Sequence, residues 1–253
     1  MSRSASLGRS GWQTARMDQS SPHRVAVLLA GGIGARAGLG MPKQFAEIHG
    51  KTILERSLAA LHDHPDISGV LVVMAPGFVD AARVVTTRYP RVLAVIEGGA
   101  DRSDSTLRAL AWLSDAAIDG DVLIHDAARP LVSAAIIDRC VEALGGASAV
   151  GVAVPSSDTV FRTNRAGQVV EVPPRTELWR AQTPQGFRIA TLRAAYDAAL
   201  ADPDFVATDD CSVVQRYLPE VPVMVVRGDD RNMKVTGPLD LRIAEVLLSA
   251  PTD

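Results

Sequence analysis

Between Ala30 and Gln44 the chain places two cations, Arg36 and Lys43, in a loop that also carries Gly31, Gly32, Gly34, Gly38 and Gly40. Glycine tolerates φ above zero and lets backbone N–H groups approach an anion with no Cβ in the way. An apolar β-like run, Val25 to Ala30, empties into this loop, which is how α/β proteins build a phosphate cradle. Cations beside such a cradle neutralise charge that grows on a phosphate in a transition state. The segment suits reaction at the phosphates of a nucleotide. A solvated surface pair is the plain alternative for Arg36 and Lys43, and their place after a first strand weighs against it.

Three loop grammars compete. A P-loop ends in Gly-Lys-Ser/Thr, whereas Pro42-Lys43-Gln44 supplies no hydroxyl for magnesium. A dinucleotide fingerprint is matched on paper by Gly32-x-Gly34-x-x-Ala37, but it should open a continuous helix, and Gly38, Gly40 and Pro42 interrupt one. Its ribose-binding acid should close a second strand about 20 residues on. Glu55 stands there in helical spacing with Ile53, Leu54, Leu58 and Leu61 instead. Hydride transfer with NAD is therefore disfavoured.

The third grammar is Leu-Ala-Gly-Gly-x-Gly-x-Arg followed by Pro-Lys-Gln. Further motifs follow it in order: Gly98-Gly99-Ala100-Asp101-Arg102-Ser103-Asp104-Ser105, then His125-Asp126-Ala127-Ala128-Arg129-Pro130. After these come Asp158-Thr159, Thr183-Pro184-Gln185, Thr208-Asp209-Asp210 and Asn232-Met233-Lys234-Val235-Thr236. Over about residues 24–249 this series resembles the polyol-phosphate cytidylyltransferases, most closely the branch acting on 2-C-methyl-D-erythritol 4-phosphate. The resemblance implies cytidylyl transfer from CTP to that acceptor with release of pyrophosphate. Ribitol 5-phosphate is the rival acceptor, and a non-catalytic nucleotide-binding regulatory module is the rival of another class.

The same resemblance implies roles for single residues. Arg36, Lys43 and Lys234 are the cations at the reacting phosphate. Ala30, Gly31, Gly32, Gly34, Gly99, Ala100, Ser105 and Ala127 surround CTP. Asp126, Arg129, Thr159, Arg175, Thr183 and Thr208 face the acceptor. Mg2+ rides mainly on the CTP phosphates, with Asp126 as a possible protein ligand. Plainer roles stand beside these: Ser103 as a helix N-cap, a structural Asp126–Arg129 pair, and His125 as a packed strand residue. Asp209 and Asp210 can simply complement the N-terminus of a helix that Thr208 caps. Ala100 departs from the acid often found at its position in the family, and Phe161 from a lysine.

These residues need a scaffold. Apolar runs at 25–30, 70–74, 92–96, 122–125, 149–154 and 221–226 alternate with amphipathic patterns at 52–62, 78–88, 103–114, 133–144, 189–201 and 238–248. Such alternation predicts an α/β, Rossmann-like nucleotidyltransferase fold: a mostly parallel twisted sheet with helices on both faces. Ligands then sit over the carboxyl ends of strands, where the glycine-rich loop, Gly98–Ser105 and Asp126–Arg129 all fall. The rhythm breaks at 156–176, where Thr159–Arg162 and Val169–Val172 flank a polar turn and read as a projecting β-hairpin. An apolar hairpin is poorly buried alone, so a second subunit is expected against it. The resemblance makes it an arm exchanged across a homodimer.

Bulk properties bound the rest. The chain has 253 residues, 47% of them apolar and 22% charged, enough for one large core spanning 24–250. A net charge of −3 offers no basic excess for binding nucleic acid. No apolar run approaches a membrane span. Cys140 and Cys211 match no metal spacing, so reduced thiols and a cytoplasmic setting are expected. Residues 1–23, with Arg3, Arg9 and Arg16 against the single acid Asp18, are expected to form a disordered tail.

Overall fold

Runs of Val, Leu and Ile too short for helices, each bounded by turn residues, form the sheet of the computed structural model, which describes residues 23–32 and 42–250. Its strands are β1 (Arg24–Ala30), β4 (Gly69–Met74), β5 (Val92–Glu97), β6 (Asp121–Asp126), β7 (Ala149–Pro155), β10 (Trp179–Arg188) and β11 (Val223–Arg227). Two small hairpins complete the strands: β2 (Glu47–Ile48) with β3 (Lys51–Thr52), and β8 (Arg162–Thr163) with β9 (Val169–Glu171). The helices are α1 (Ile53–His62), α2 (Val79–Thr86), α3 (Arg102–Asp115), α4 (Ala134–Leu144), α5 (Ile189–Leu200), α6 (Asp210–Tyr217) and α7 (Pro238–Ser249). The tail expected at the N-terminus lies outside the described residues except for His23, as do Gly34 and Arg36.

The sheet order is β11-β7-β10-β6-β1-β4-β5. β1 pairs in parallel with both β4 and β6, and β11 with β7, while β10 runs antiparallel to both of its neighbours. The mostly parallel sheet expected from the alternation is therefore present. Because the chain proceeds from β1 outward to β5 and then returns to β6 on the other side, the strand order reverses at β1. A crevice opens over the carboxyl ends at such a point.

Both faces are covered, so the strands alternate between two apolar layers. Ala26, Leu28, Val70 and Val72 pack beneath Leu54, Leu58, Ile136 and Leu144 of α1 and α4. Val25, Val27, Leu71 and Val122 point the other way, toward Leu110, Leu113, Leu192 and Val213 of α3, α5 and α6. Glu55 closes a capping box with Thr52 at the start of α1, which accounts for the acid that the dinucleotide grammar would have used.

β10 was not legible in the sequence. Its segment carries Pro184, Gly186 and several polar residues, signals that demote a central strand. The strand tolerates them because its register with β7 shifts between Gln182 and Gln185, so Pro184 sits at the irregularity. Two caps also differ from expectation. Asp101, not Ser103, caps α3 by accepting from the Asp104 N–H. Asp209, not Thr208, caps α6 in a box with Ser212.

Candidate active site

The exit of β1 is tied to the segment that follows the glycine-rich loop. Gln44 is buried, and its Nε2 donates to the carbonyls of Ala30 and Gly32 at 3.1 and 2.8 Å. That fastening brings Lys43 beside the sheet's rim, where its Nζ donates to the Val235 carbonyl at 2.7 Å. Lys43 thereby reaches the residue next to Lys234, although the two lysines lie far apart in sequence.

The Asn232–Thr236 segment is anchored from below. Asn232 is fully buried, and its Nδ2 donates to the Thr183 carbonyl at 2.9 Å and to Gln182 Oε1 at 3.2 Å. Arg129 grips the same segment through the Asn232 carbonyl at 2.8 Å. Asn232→Ala is expected to lower stability by about 1–3 kcal/mol, because it strips partners from buried acceptors. Urea unfolding measures this, and an unchanged midpoint would show the anchor to be dispensable.

From Lys234 a row of alternating charges runs inward. Lys234 Nζ donates to Asp126 Oδ2 at 2.7 Å, and Arg102 Nε donates to Asp126 Oδ1 at 3.3 Å. Arg102 Nη1 then reaches Asp210 Oδ2 at 2.7 Å, and the Tyr196 hydroxyl donates to the other oxygen of Asp210. Burial pushes the Asp126 carboxyl up, but Arg102 and then Lys234 outweigh it and hold the group well below the usual carboxylate range. Burial likewise opposes the charge of Arg102, and Asp210 and Asp126 more than compensate, leaving it raised. The Asp126–Arg129 pair expected as the plain reading does not form; Arg129 donates to backbone carbonyls instead.

His125 is a packed strand residue, as expected. It is buried, sits between the Thr183 hydroxyl at 3.0 Å and the Arg129 carbonyl at 3.2 Å, and is lowered by burial to about 4. A neutral imidazole in that position orders the strand end. Thr183 in turn accepts from the Asp126 N–H at 3.0 Å.

Two clefts flank the charged row. The larger, about 440 Å³, is lined by Gly31, Gly32, Lys43, Gly99, Ala100, Asp101, Ser105 and Ala128, among others. The smaller, about 220 Å³, is lined by Arg129, Thr183, Gln185, Thr208 and Asp209, among others. Arg102, Asp126 and Lys234 line both. Ser105 Oγ accepts from the Gly99 N–H at 3.1 Å and donates to the Asp101 carbonyl at 2.8 Å, so its hydroxyl shapes the loop. A Cβ at Gly99 would collide with the Asp104 carboxylate, which fixes glycine there on steric grounds.

Among the described residues most of those singled out in the sequence thus converge, and four do not. Ala30 is fully buried in β1 with its carbonyl taken by Gln44, and lines neither cleft. Ala127 is fully buried with its N–H on the Leu29 carbonyl and its carbonyl on Ser57 Oγ, leaving Ala128 to line the cleft. Thr159 and Arg175 are exposed and line neither cleft among the described residues. Arg102 and Asp210 were quoted in motifs without the pairing they make. One signal was available: a cation in the first turn of α3 opposes the helix dipole, so it requires a carboxylate partner.

A cleft lined by Gly31, Gly32 and Gly99 at the switch point shares Arg102, Asp126 and Lys234 with a smaller polar cleft, and the fold that carries the pair is that of the nucleotidyltransferases. The family model described as 2-C-methyl-D-erythritol 4-phosphate cytidylyltransferase matches residues 24–250, and the chain belongs to that family. It is 49% identical over 233 residues to the 2-C-methyl-D-erythritol 4-phosphate cytidylyltransferase of Thermobifida fusca, covering 90% of this chain and 94% of that one. It is 39% identical to the bifunctional ribulose 5-phosphate reductase/CDP-ribitol pyrophosphorylase of Haemophilus influenzae, over 89% of this chain and 48% of the relative. Among solved structures, the Thermus thermophilus 2-C-methyl-D-erythritol 4-phosphate cytidylyltransferase superposes with a TM-score of 0.69 at 35% identity, covering 90% of this chain and all of that one. The Anaerococcus prevotii 4-diphosphocytidyl-2C-methyl-D-erythritol synthase gives 0.81 at 28% identity, covering 90% and 99%.

Proposed function

We propose that the larger cleft holds CTP and the smaller one 2-C-methyl-D-erythritol 4-phosphate, and that the wall they share is where cytidylyl transfer takes place. The common wall of Arg102, Asp126 and Lys234 carries this reading. A phosphate oxygen of the acceptor attacks the α-phosphorus of CTP, a bond to phosphorus forms, and pyrophosphate leaves with the electron pair. The attacking oxygen is already a nucleophile, so no activated serine or cysteine is needed. The obstacle is one anion approaching another, and Lys43, Lys234 and Arg36 lower it by screening the phosphates and stabilising the five-coordinate α-phosphorus.

Around the nucleotide, the backbone at Gly31, Gly32 and Gly34 would face the phosphates and the loop at Gly99 and Ala100 the base and ribose, with Ser105 setting the shape of that loop. Arg129 and Thr208 present donors to the acceptor, while the Thr183 hydroxyl, whose proton goes to His125 Nδ1, holds the wall of that cleft in place. Mg2+ would be held mainly by the CTP phosphates, because Asp126, the ionised carboxylate common to both clefts, already has one oxygen on Lys234 and the other on Arg102 and would add a single ligand beside substrate phosphates. When bound, the ion would neutralise triphosphate charge.

The arm completes the site in this reading. Val160, Phe161, Val169, Val170 and Val172 are between 44% and 59% exposed, and a second copy of the chain would cover them. Thr159 and Arg175, outside the clefts of their own subunit, would then reach the acceptor cleft of the other. Among the described residues no helix is long and apolar enough to cross a membrane. Free Cys140 and Cys211 support a reducing, cytoplasmic setting.

Identity to the Haemophilus relative favours testing a second acceptor. With CTP and Mg2+ present, pyrophosphate release is expected with 2-C-methyl-D-erythritol 4-phosphate, with kcat/KM at least about tenfold below it for ribitol 5-phosphate. The reverse order would move the chain to the ribitol reaction. CTP binding without turnover on either acceptor would mean a regulatory module.

A further inference from the structure

We infer that Arg102 is a positioning residue for the reaction: it clamps the Asp126 carboxylate against buried Asp210, so that Lys234 is presented between the two clefts. The inference rests on the cytidylyltransferase reading and assigns this arginine a role within it.

Three elements meet at the guanidinium. Arg102 is the first residue of α3, Asp126 ends β6, and Asp210 opens α6. Asp210 is completely buried, held by the Tyr196 hydroxyl at 2.7 Å on one oxygen and by Arg102 at 2.7 Å on the other. It is a fixed point that touches neither cleft among the described residues. Asp126, by contrast, faces both clefts and has its two oxygens divided between Arg102 and Lys234.

That division matters for Lys234. A carboxylate paired with a single lysine keeps its whole charge on that lysine and draws the ammonium toward itself. Sharing Asp126 with Arg102 leaves Lys234 half-exposed and only partly neutralised, able to act on a phosphate. The planar fork of arginine can hold two carboxylates in fixed directions, which a lysine point charge cannot. A cation at the first turn of α3 opposes the helix dipole, so this arginine is favoured there only through its two acids. A displacement of about 1 Å in the lysine it sets in place is enough to lower turnover by about 10²-fold.

Arg102→Met alone strands Asp210 without its cation, so the informative protein is Arg102→Met combined with Asp210→Asn, which removes both buried charges. Steady-state kinetics with CTP and 2-C-methyl-D-erythritol 4-phosphate are compared with the unaltered protein, whose activity is the control for the reading itself. The double variant is expected to unfold at a midpoint near that of the unaltered protein, to bind CTP within about threefold by calorimetry, and to have kcat lowered by about 10²-fold. Recovery of full kcat in the double variant would reduce Arg102 to a partner for Asp210 and overturn the inference. Loss confined to CTP affinity would overturn it too, making Arg102 a nucleotide ligand. Should the double variant not fold, Arg102→Lys decides: kcat down about tenfold at unchanged CTP affinity supports positioning, and full kcat refutes it.

Discussion

Lys43→Ala is expected to lower kcat by at least about 10²-fold, roughly 3 kcal/mol of barrier, while KM for the acceptor changes by no more than a few-fold. The side chain sits in the nucleotide-sized cleft with its ammonium on the carbonyl of Val235 at 2.7 Å, the residue that follows Lys234. Charge accumulates on the phosphates as the fifth bond to phosphorus forms, and a fixed cation there is worth more in the transition state than in the ground state. A merely architectural lysine would give a different pattern, with a lowered unfolding midpoint and turnover intact in the folded fraction. Stopped-flow measurement of pyrophosphate release under saturating CTP distinguishes the two. Unchanged turnover would remove Lys43 from the chemistry.

The second large effect is a gain. Lys43→Ala and Arg175→Ala proteins, each nearly inactive, are expected to recover about a quarter of wild-type activity when unfolded together and refolded at equal concentration. The fraction follows from symmetry. About half of the randomly formed dimers are mixed, and in each of these one site combines an intact Lys43 cleft with an intact arm, while the other carries both lesions. Exposure of Arg175 outside its own subunit's clefts, in the same segment as an apolar hairpin, is what motivates the design. Mass spectrometry under native conditions would confirm that mixed dimers formed. Mixed dimers without activity would confine the arm to assembly.

Local chemistry made much of this protein readable before any coordinates. Val25 to Ala30 emptying into glycines, and the strand-helix alternation, specify parallel crossovers and therefore a rim where loops gather. Gly99 is singled out in the sequence by its loop after a strand, but the reason no side chain fits there, the Asp104 carboxylate folded against it, appears only in the structure. Asp209 shows where local pattern stops being decisive. A Thr-Asp-Asp run plainly marks a helix start, but which residue caps depends on backbone angles, and the cap fell one residue later than read.

What the amino-acid order determined alone was the fold class and the rim of the sheet on which the glycine-rich and charged loops gather, because periodicity and turn chemistry act over a few residues. What only the tertiary structure decided was the inside of the site. β10 is a central strand despite Pro184 and Gly186, since its neighbours β6 and β7 and a shifted register impose extended backbone where local propensity refuses it. In the row Lys234–Asp126–Arg102–Asp210 the two outer links each join residues 108 positions apart, and the middle link spans 24. No local pattern encodes such pairs: their charges meet because three elements pack, and the low dielectric of that packing leaves each ion no better partner.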